Sequence, residues 1–380
     1  MKNKKIGLVP AITIQTNAMI GAGVVAIPAV LAKKVGSLGL LSYAICIAII
    51  FCMTFSLGKL SLKQGGEAWC YHFPKLWGNH FAGMLSSSCY ILGVLVAMGF
   101  VAMQAGVWLH EMLPILTPQA LCLLIIALLA TFVYAGKNVS TFWQYFYSAI
   151  IFLGITLTTI ICFVHFDKTL FFSEHQEDVL STLKVTPVLL FSFLGFESIS
   201  SLYTIVKNPK RNVLLGGLIG LGCVSLLYVS FSSSIIGAIA PKYFSEGSLV
   251  SALSSALPHM QRLSKMIYLG GLFAIIGTLH AMIWSVSVLI IDVIKRSKAQ
   301  KLVTMPSSIL FSTFVIMASS LFLTSEAIMN LAVLFIAISY VLSISGLLRE
   351  KKLPLSSIVI CFTGVFGGCL MCFFALLSFL

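Results

Sequence analysis

Two stretches decide the fold: Phe193-Leu194-Gly195-Phe196-Glu197-Ser198 and Ile20-Gly21-Ala22-Gly23-Val24. Each places glycine inside a long apolar run. Pro28 follows the second stretch by four residues. Small residues of this kind also let membrane helices pack closely, and for either stretch alone that explanation suffices. Unwinding at glycine, however, exposes backbone N–H and C=O groups where no water supplies partners. Two such stretches in matching positions therefore predict two broken helices with a ligand at the breaks.

Long apolar runs of about 18 residues or more account for most of the chain. They lack the alternation typical of membrane β-strands, so we predict an all-α polytopic membrane protein. Eleven spanning helices are predicted near 6–32, 37–58, 81–109, 119–135, 143–166, 185–205, 213–239, 266–292, 305–323, 326–347 and 355–379.

The two glycine stretches predict an internal repeat. Gly21 and Gly195 are 174 residues apart, and each lies in the first helix of a set of five. Because five is odd, two such sets have opposite orientations in the membrane, with a binding site at the midplane. We therefore predict one repeat over 1–166, an inverted repeat over 167–348, and an additional eleventh helix over 349–380.

Composition excludes a soluble protein. Hydrophobic residues make up 59% of the 380 residues and charged residues only 9%, whereas a soluble domain carries about 25% charged residues. The net charge of +13 does not indicate a nucleic-acid partner, because the basic residues lie in short clusters between apolar runs.

The basic clusters predict the orientation. Of the 24 Lys and Arg residues, 17 lie in loops on the amino-terminal side and 7 on the other. The positive-inside rule then places the amino terminus in the cytoplasm and, with eleven spans, the carboxyl terminus outside. We expect a bacterial inner or plasma membrane. The longest external connection contains an apolar stretch, Ser248 to Leu257, that predicts a short interfacial or re-entrant helix.

The breaks suggest what is bound. A half-helix starting near Gly23 directs its partially positive N-terminus at the break, which suits a carboxylate, while exposed carbonyls suit an ammonium group or a cation. Together they describe a site for a zwitterion, and hence an amino acid. Glu197 is the one acid that we place within a span, and an ionisable residue there predicts a functional site. Its role stays open between proton carrier, partner of a cationic substrate and structural anchor.

The same stretches resemble a known family. Phe193–Ser198, followed by Lys207-Asn208-Pro209-Lys210-Arg211-Asn212, is similar to the sixth helix and following loop of the amino acid-polyamine-organocation (APC) permeases. Asn17 to Pro28 matches their first helix, and Leu323 to Ala332 resembles their tenth. The basic amino acid/polyamine antiporter branch is the closest in character, although the Gly21–Gly23 core is also similar to the bacterial aromatic amino acid permeases, which have eleven spans.

The resemblance implies a five-plus-five inverted repeat (the LeuT-like fold), alternating access and a substrate held at both breaks. Tyr90 corresponds to a tyrosine near the gate of the antiporter branch, and Glu197 matches the acid of that branch. The implied main-chain binders are Ile20, Gly21, Ala22 and Gly23 on helix one, with Phe191, Leu194 and Gly195 on helix six.

Some positions depart from the antiporters. Phe191 replaces a tryptophan that stacks on a guanidinium, and Met282 stands on helix eight where another tryptophan is expected, with Trp284 two residues on. A neutral or aromatic substrate is therefore at least as well supported as arginine. His280 and Trp284 are candidates for the substrate path, and Ser285, with Ser287, is a candidate oxygen donor to a sodium ion.

We therefore expect a secondary transporter of amino acids or related amines, without enzymatic activity, tightly bound cofactor or metal. Coupling stays open between exchange, proton symport and sodium symport, and so do the amino acid, the direction of flux and the oligomeric state. An intramembrane enzyme would show paired acids, a His/Asp set or metal ligands, and a channel would show a ring of like groups lining a pore. Uptake in proteoliposomes separates these classes.

Overall fold

The computed structural model describes residues 5–21, 23–77, 80–172, 179–244, 249–256, 261–296, 303–322, 326–349 and 353–377. Within these ranges the chain is helical throughout apart from turns and one isolated β-bridge. The helices are α1 (Leu8–Met19), α2 (Gly23–Lys34), α3 (Gly39–Gln64), α4 (Trp69–Lys75), α5 (His80–Met112), α6 (Pro118–Tyr134), α7 (Lys137–Val164), α8 (Lys168–Phe171), α9 (Val179–Ser192), α10 (Ser198–Ser201), α11 (Pro209–Ala238), α12 (Leu249–Ala256), α13 (Gln261–Arg296), α14 (Met305–Phe322), α15 (Glu326–Ser345) and α16 (Leu355–Leu377).

The predicted all-α membrane class is confirmed. Eight helices in the described part of the chain are long and apolar enough to cross a membrane, and α6 is a shorter apolar helix of 17 residues. The first and sixth predicted spans are each divided in two. The protein is therefore an integral, multi-pass membrane protein.

Both divided spans break at glycine. The pair α1 and α2 has 12 residues in each half, and 12 residues cover only about 18 Å of a bilayer core of about 30 Å. The backbone leaves the helical region at Ile20, and Ala22 lies outside the described residues. In the sixth span α9 and α10 are separated by residues 193–197, where Gly195 has a φ of +102° that suits glycine.

Long helices surround the breaks. α1 packs against α7, α11 and α13, while α9 packs against α2 and α3. α5 packs against α6, α13, α14 and α15, and α16 lies outside against α3 and α15. Contacts thus cross the predicted boundary at residue 166 throughout the bundle, and the division into two inverted repeats stays a prediction.

Two short helices flank the bundle. α12 occupies most of the stretch in which a short external helix was predicted, although Ser248 and Leu257 lie outside the described residues. α4 follows the Gly65-Gly66 turn, between the predicted spans 37–58 and 81–109, and packs against α5 and α15. Its Trp69 and Phe73 are fully buried, so hydrophobic burial stabilises this helix at the bundle end.

Candidate functional site

The two helix breaks touch each other. A Cβ added to Gly195 would lie 2.5 Å from the carbonyl oxygen of Ala18, and a Cβ added to Gly23 would lie 3.0 Å from the Cβ of Ser192. Glycine at 195 therefore serves two purposes, because it adopts a positive φ and lets the backbone of helix one approach. The close approach brings both irregular segments to one place in the bundle.

Side chains from two helices satisfy the backbone at these breaks. Tyr228 of α11 donates its hydroxyl to the carbonyls of both Met19, at 3.0 Å, and Ser192, at 3.3 Å. Thr278 of α13 donates to Asn17 O at 2.7 Å and to Ile20 O at 3.1 Å. Carbonyls released by unwinding thus find donors, as burial requires.

Gln15 joins α1 to the restart of the sixth span. Its Oε1 accepts a hydrogen bond from the backbone N–H of Ile199 at 3.3 Å, and its Nε2 donates to Gly217 O of α11 at 3.3 Å. Asn17, two residues on, donates to Gln144 of α7 and accepts from Ser148. Polar side chains on α1 therefore fix the position of the break.

A cavity of about 360 Å³ lies beside the breaks. This volume is within the usual range for small-molecule sites, about 300–1,000 Å³. Most of its lining is apolar, and Glu197 is the one acidic or basic residue among the described residues that line it. The lining comprises Ala18, Met19, Gly21, Gly23, Ile27, Val94, Ala97, Met98, Phe100, Val101, Gln104, Phe191, Ser192, Leu194, Gly195, Glu197, Thr278, Met282, Ile336 and Tyr340.

Glu197 is 1% exposed, and its two carboxylate oxygens have different surroundings. Its Oε1 accepts a hydrogen bond from the hydroxyl of Tyr90 at 2.5 Å. Its Oε2 has no hydrogen-bond partner among the described residues, and neither has the hydroxyl of Tyr340 beside it. An ionised carboxylate in this place, with no neighbouring cation on the cavity wall, is costly. The geometry therefore suits a group that gains and loses a proton or meets a ligand.

An aromatic cluster closes one side of Glu197. The ring of Trp69 lies edge-on to Tyr90 with centroids 4.8 Å apart, and Phe196 lies 5.0 Å from Tyr340. All four rings are buried. Trp69 also donates its Nε1–H to Ser201 of α10 at 3.0 Å. Tyr90 lies nearer the start of α5, whereas Phe100 and Gln104 line the cavity further along this helix. The end of the bundle at which α5 begins carries the predicted excess of Lys and Arg and is called the lysine-rich end.

The structure brings together most of the residues singled out in the sequence. Gly21, Gly23, Phe191, Leu194, Gly195, Glu197 and Met282 line the cavity. Tyr90 lies outside the lining and reaches the site through Glu197. Whether these residues bind substrate stays a prediction.

Four positions lie elsewhere or cannot be placed. Ile20 does not line the cavity, and its carbonyl accepts from Thr278. Ser285 donates to Met282 O of its own helix at 3.4 Å, and Trp284 faces a separate cavity. Helix periodicity explains the placement of Trp284, since a residue two positions beyond Met282 points to the opposite face of α13. Ser285, three positions beyond, stays on the face of Met282 and bonds to it. Ala22 lies outside the described residues.

Sequence analysis did not single out Tyr228, Tyr340, Thr278 or Gln15. Each is a polar residue on an otherwise apolar span, and this polarity is the sequence feature that could have identified it. The hydrogen-bond partners of Tyr228, Thr278 and Gln15 are backbone groups up to 261 residues away in sequence, so spacing along the chain does not reveal them. His280 is fully buried between the rings of Phe132 and Tyr147, away from the cavity.

Comparisons with known proteins show similarity to two transporters. At 22% identity over 288 residues, the chain is similar to an uncharacterized transporter of Mycobacterium bovis, covering 75% of this chain and 64% of the relative. At 26% identity over 247 residues, it is similar to the cadaverine/lysine antiporter of Escherichia coli strain K12, covering 62% of this chain and 54% of the relative. The chain thus spans less than two thirds of the length of these curated relatives.

The family model that matches carries the description tryptophan/tyrosine permease family, and it covers residues 4–321. Of the two resemblances drawn from the sequence, the one to aromatic amino acid permeases agrees better with this match, and the antiporter relative is distant. The comparisons indicate a transporter and not an enzyme. The chain belongs to the tryptophan/tyrosine permease family.

Proposed function

We propose that this protein is a secondary transporter of aromatic amino acids that works by alternating access and is driven by a proton gradient. The observation that supports this proposal is the meeting of two helix breaks beside an apolar cavity, in whose described lining Glu197 is the one acid. Backbone groups at the breaks would hold the amino and carboxyl groups of the substrate. The wider relation to APC permeases belongs to the same proposal.

The cavity lining supports an aromatic side chain. Phe100, Phe191 and Tyr340 offer ring faces, while Met98 and Met282 offer adaptable thioether side chains. A guanidinium or a second ammonium would need its own anionic partner, because burying an unpaired charge is costly. The match to the tryptophan/tyrosine permease family points to the same substrates.

Exchange of basic amino acids or amines is a second candidate. The cadaverine/lysine antiporter is a relative, and the unpartnered Oε2 of Glu197 is an acceptor that an ammonium group could reach from the cavity. In that case Glu197 would bind substrate and would not carry a proton.

Glu197 is the proton carrier in the proposed mechanism. With a proton, the carboxyl group is neutral and is accommodated in the closed, apolar site; without one, it needs water or a cation. Coupling follows if the substrate-loaded carrier changes orientation only with Glu197 protonated, and the empty carrier only after Glu197 has released its proton and water reaches the carboxylate. Tyr90, hydrogen-bonded to Oε1, would orient the carboxyl group so that Oε2 faces the cavity.

Sodium coupling has less support. A sodium ion at the break of helix one would take oxygen ligands, yet the carbonyls of Asn17 and Ile20 already accept hydrogen bonds from Thr278. Ser285, which the sequence suggested as a ligand, bonds within its own helix. We therefore favour a proton as the coupling ion.

The experiment uses Glu197→Gln in proteoliposomes. Gln resembles the protonated carboxyl group in size and charge, so the variant should lose accumulation of labelled L-tryptophan driven by a proton gradient and should keep exchange against internal L-tryptophan. Asp167→Asn is the matched control, because Asp167 is an exposed acid that caps the four-residue helix α8.

Three results would contradict parts of this proposal. Proton-driven accumulation in Glu197→Gln would exclude Glu197 as the carrier. If the wild-type protein accumulates L-tryptophan only with sodium, the coupling ion is sodium and not a proton. Uptake of lysine or cadaverine with no uptake of aromatic amino acids would favour the second candidate.

A further inference from the structure

A second cavity of about 600 Å³ lies at the lysine-rich end of the molecule. Its walls are the segment before α1, the junction of α6 and α7, the segment after α10, and α13. α13 contributes to both cavities, with Thr278 and Met282 facing the central one and Trp284 and Asp292 facing this one. The family match and the relatives assign nothing to this second cavity.

The charged groups of this cavity are arranged by depth. Asp292 is 7% exposed, and its Oδ2 accepts a hydrogen bond from the hydroxyl of Thr204 at 3.0 Å. Lys5 and Lys295 are exposed, and Lys137 is half-buried. A carboxylate thus lies deep in the cavity, and ammonium groups lie at its rim.

The start of α7 adds positive potential at the rim. Gly136 is the N-cap residue of α7, with a φ of +104°, and it lines the cavity. A glycine has no side chain with which to cap the helix, and the N-terminus of a 28-residue helix carries a partial positive charge. A ligand carboxylate near Lys137 would receive both contributions.

We propose that this cavity is a second binding site for a zwitterionic amino acid, with the ammonium group at Asp292 and the carboxylate at Lys137 and the start of α7. The side chain of the ligand would lie against Trp284, which is 3% exposed and lines the same cavity. The choice of amino acid as ligand rests on the proposed function.

Other ligand classes fit this charge distribution less well. A simple anion such as phosphate would be repelled by Asp292, and a polyamine would be repelled by the lysines at the rim. A ligand with a positive and a negative end is attracted at both ends. In the predicted orientation the site faces the cytoplasm, where it would hold substrate next to the inner mouth of the transport path.

The test measures how many amino acid molecules bind to each purified chain by equilibrium dialysis, with each of the twenty common amino acids as a radiolabelled probe. Val101→Trp fills the central cavity, while Asp292→Asn and Lys137→Gln alter the second one. Lys210→Gln is the matched control, because Lys210 is a lysine at the same end of the molecule, near the start of α11, and does not line the cavity. Lys137→Gln, at the rim, keeps the test valid if the buried Asp292→Asn fails to fold.

We expect two bound molecules per wild-type chain. Asp292→Asn and Lys137→Gln should each weaken one site at least about tenfold, as expected for the loss of a hydrogen bond to a charged group. Val101→Trp should remove the other site, and Lys210→Gln should remove neither. In proteoliposomes Asp292→Asn should raise the half-saturating concentration on the lysine-rich side only.

The alternative outcomes are distinguishable. A single site that is lost in Val101→Trp and unchanged in Asp292→Asn would overturn the second site and leave the proposed function intact. A single site lost only in Asp292→Asn would support the second site and overturn the central one. Binding of inorganic phosphate that depends on Lys137, without a second amino acid, would overturn the ligand assignment. No binding of any amino acid would overturn both proposals.

Discussion

At the scale of single residues, two features of Gly195 oppose the addition of a side chain. It combines a φ of +102° with a backbone contact that leaves no room for a Cβ. We expect Gly195→Ala to destabilise the protein by about 1–3 kcal/mol, the usual cost of a strained backbone position. Thermal unfolding in detergent, followed by tryptophan fluorescence, measures the change.

Gly222→Ala is the matched control for this prediction. Gly222 lies in α11, and a Cβ there meets nothing within 4 Å. Alanine is favoured over glycine inside a helix, so this variant should be at least as stable as the wild type. Equal stability of the two variants would show that the close contact of the breaks is absent in solution.

How far sequence predicts a residue depends on where its partners lie. Glu197 could be found because a carboxylate inside an apolar run is unusual by itself, and Gly195 could be found because it matches Gly21 in the predicted repeat. Tyr228 and Thr278 could not, because tyrosine and threonine are ordinary in membrane helices and their carbonyl partners come from another helix. Trp284 was misplaced for a related reason, since a position on a helix does not reveal which neighbour its face meets.

At the scale of elements, the segment before α1 is tied to the segment after α10. The backbone N–H of Ile6 donates to Ile205 O at 2.9 Å, and the N–H of Lys207 donates to Ile6 O at 2.8 Å. Two hydrogen bonds thus connect the lysine-rich ends of the two broken spans, and we expect these ends to move together during transport.

Ile6→Pro tests this connection, because proline lacks the N–H that bonds to Ile205. Gly7→Pro is the matched control, since the φ of Gly7 is −74° and already suits proline. We expect Ile6→Pro to slow exchange of L-tryptophan in proteoliposomes at least about threefold, given about 1 kcal/mol for one hydrogen bond, with Gly7→Pro near wild type. Unchanged exchange in both variants would show that the ends move separately.

At this scale the long spans were predictable and the breaks were predictable in part. The apolar runs located the long helices with ends no more than six residues from those in the structure, because length and hydropathy determine what crosses a bilayer. Helix α4 was missed, because its stability comes from burying Trp69 and Phe73 against α5 and α15, and a seven-residue segment carries little periodic signal.

At the scale of the whole molecule, orientation is the open prediction. The excess of Lys and Arg predicts that the loop between α6 and α7 is cytoplasmic and that the loop between α5 and α6 is external. Alkaline phosphatase inserted at Ile115 should therefore be active, and the same enzyme inserted at Gly136 should be inactive. The opposite pattern of phosphatase activity would show that the molecule has the inverse orientation in the membrane, with the second cavity at the outer face.

The broken first span also has a consequence for biosynthesis. Its carbonyls at Asn17, Met19 and Ile20 bond to Tyr228 and Thr278, which the ribosome adds more than 200 residues later. Until those residues enter the bilayer, an unwound helix one would leave these groups without partners. We therefore expect it to insert as a continuous helix and to unwind only when the seventh and eighth spans arrive, so that the binding site is among the last parts of the molecule to form.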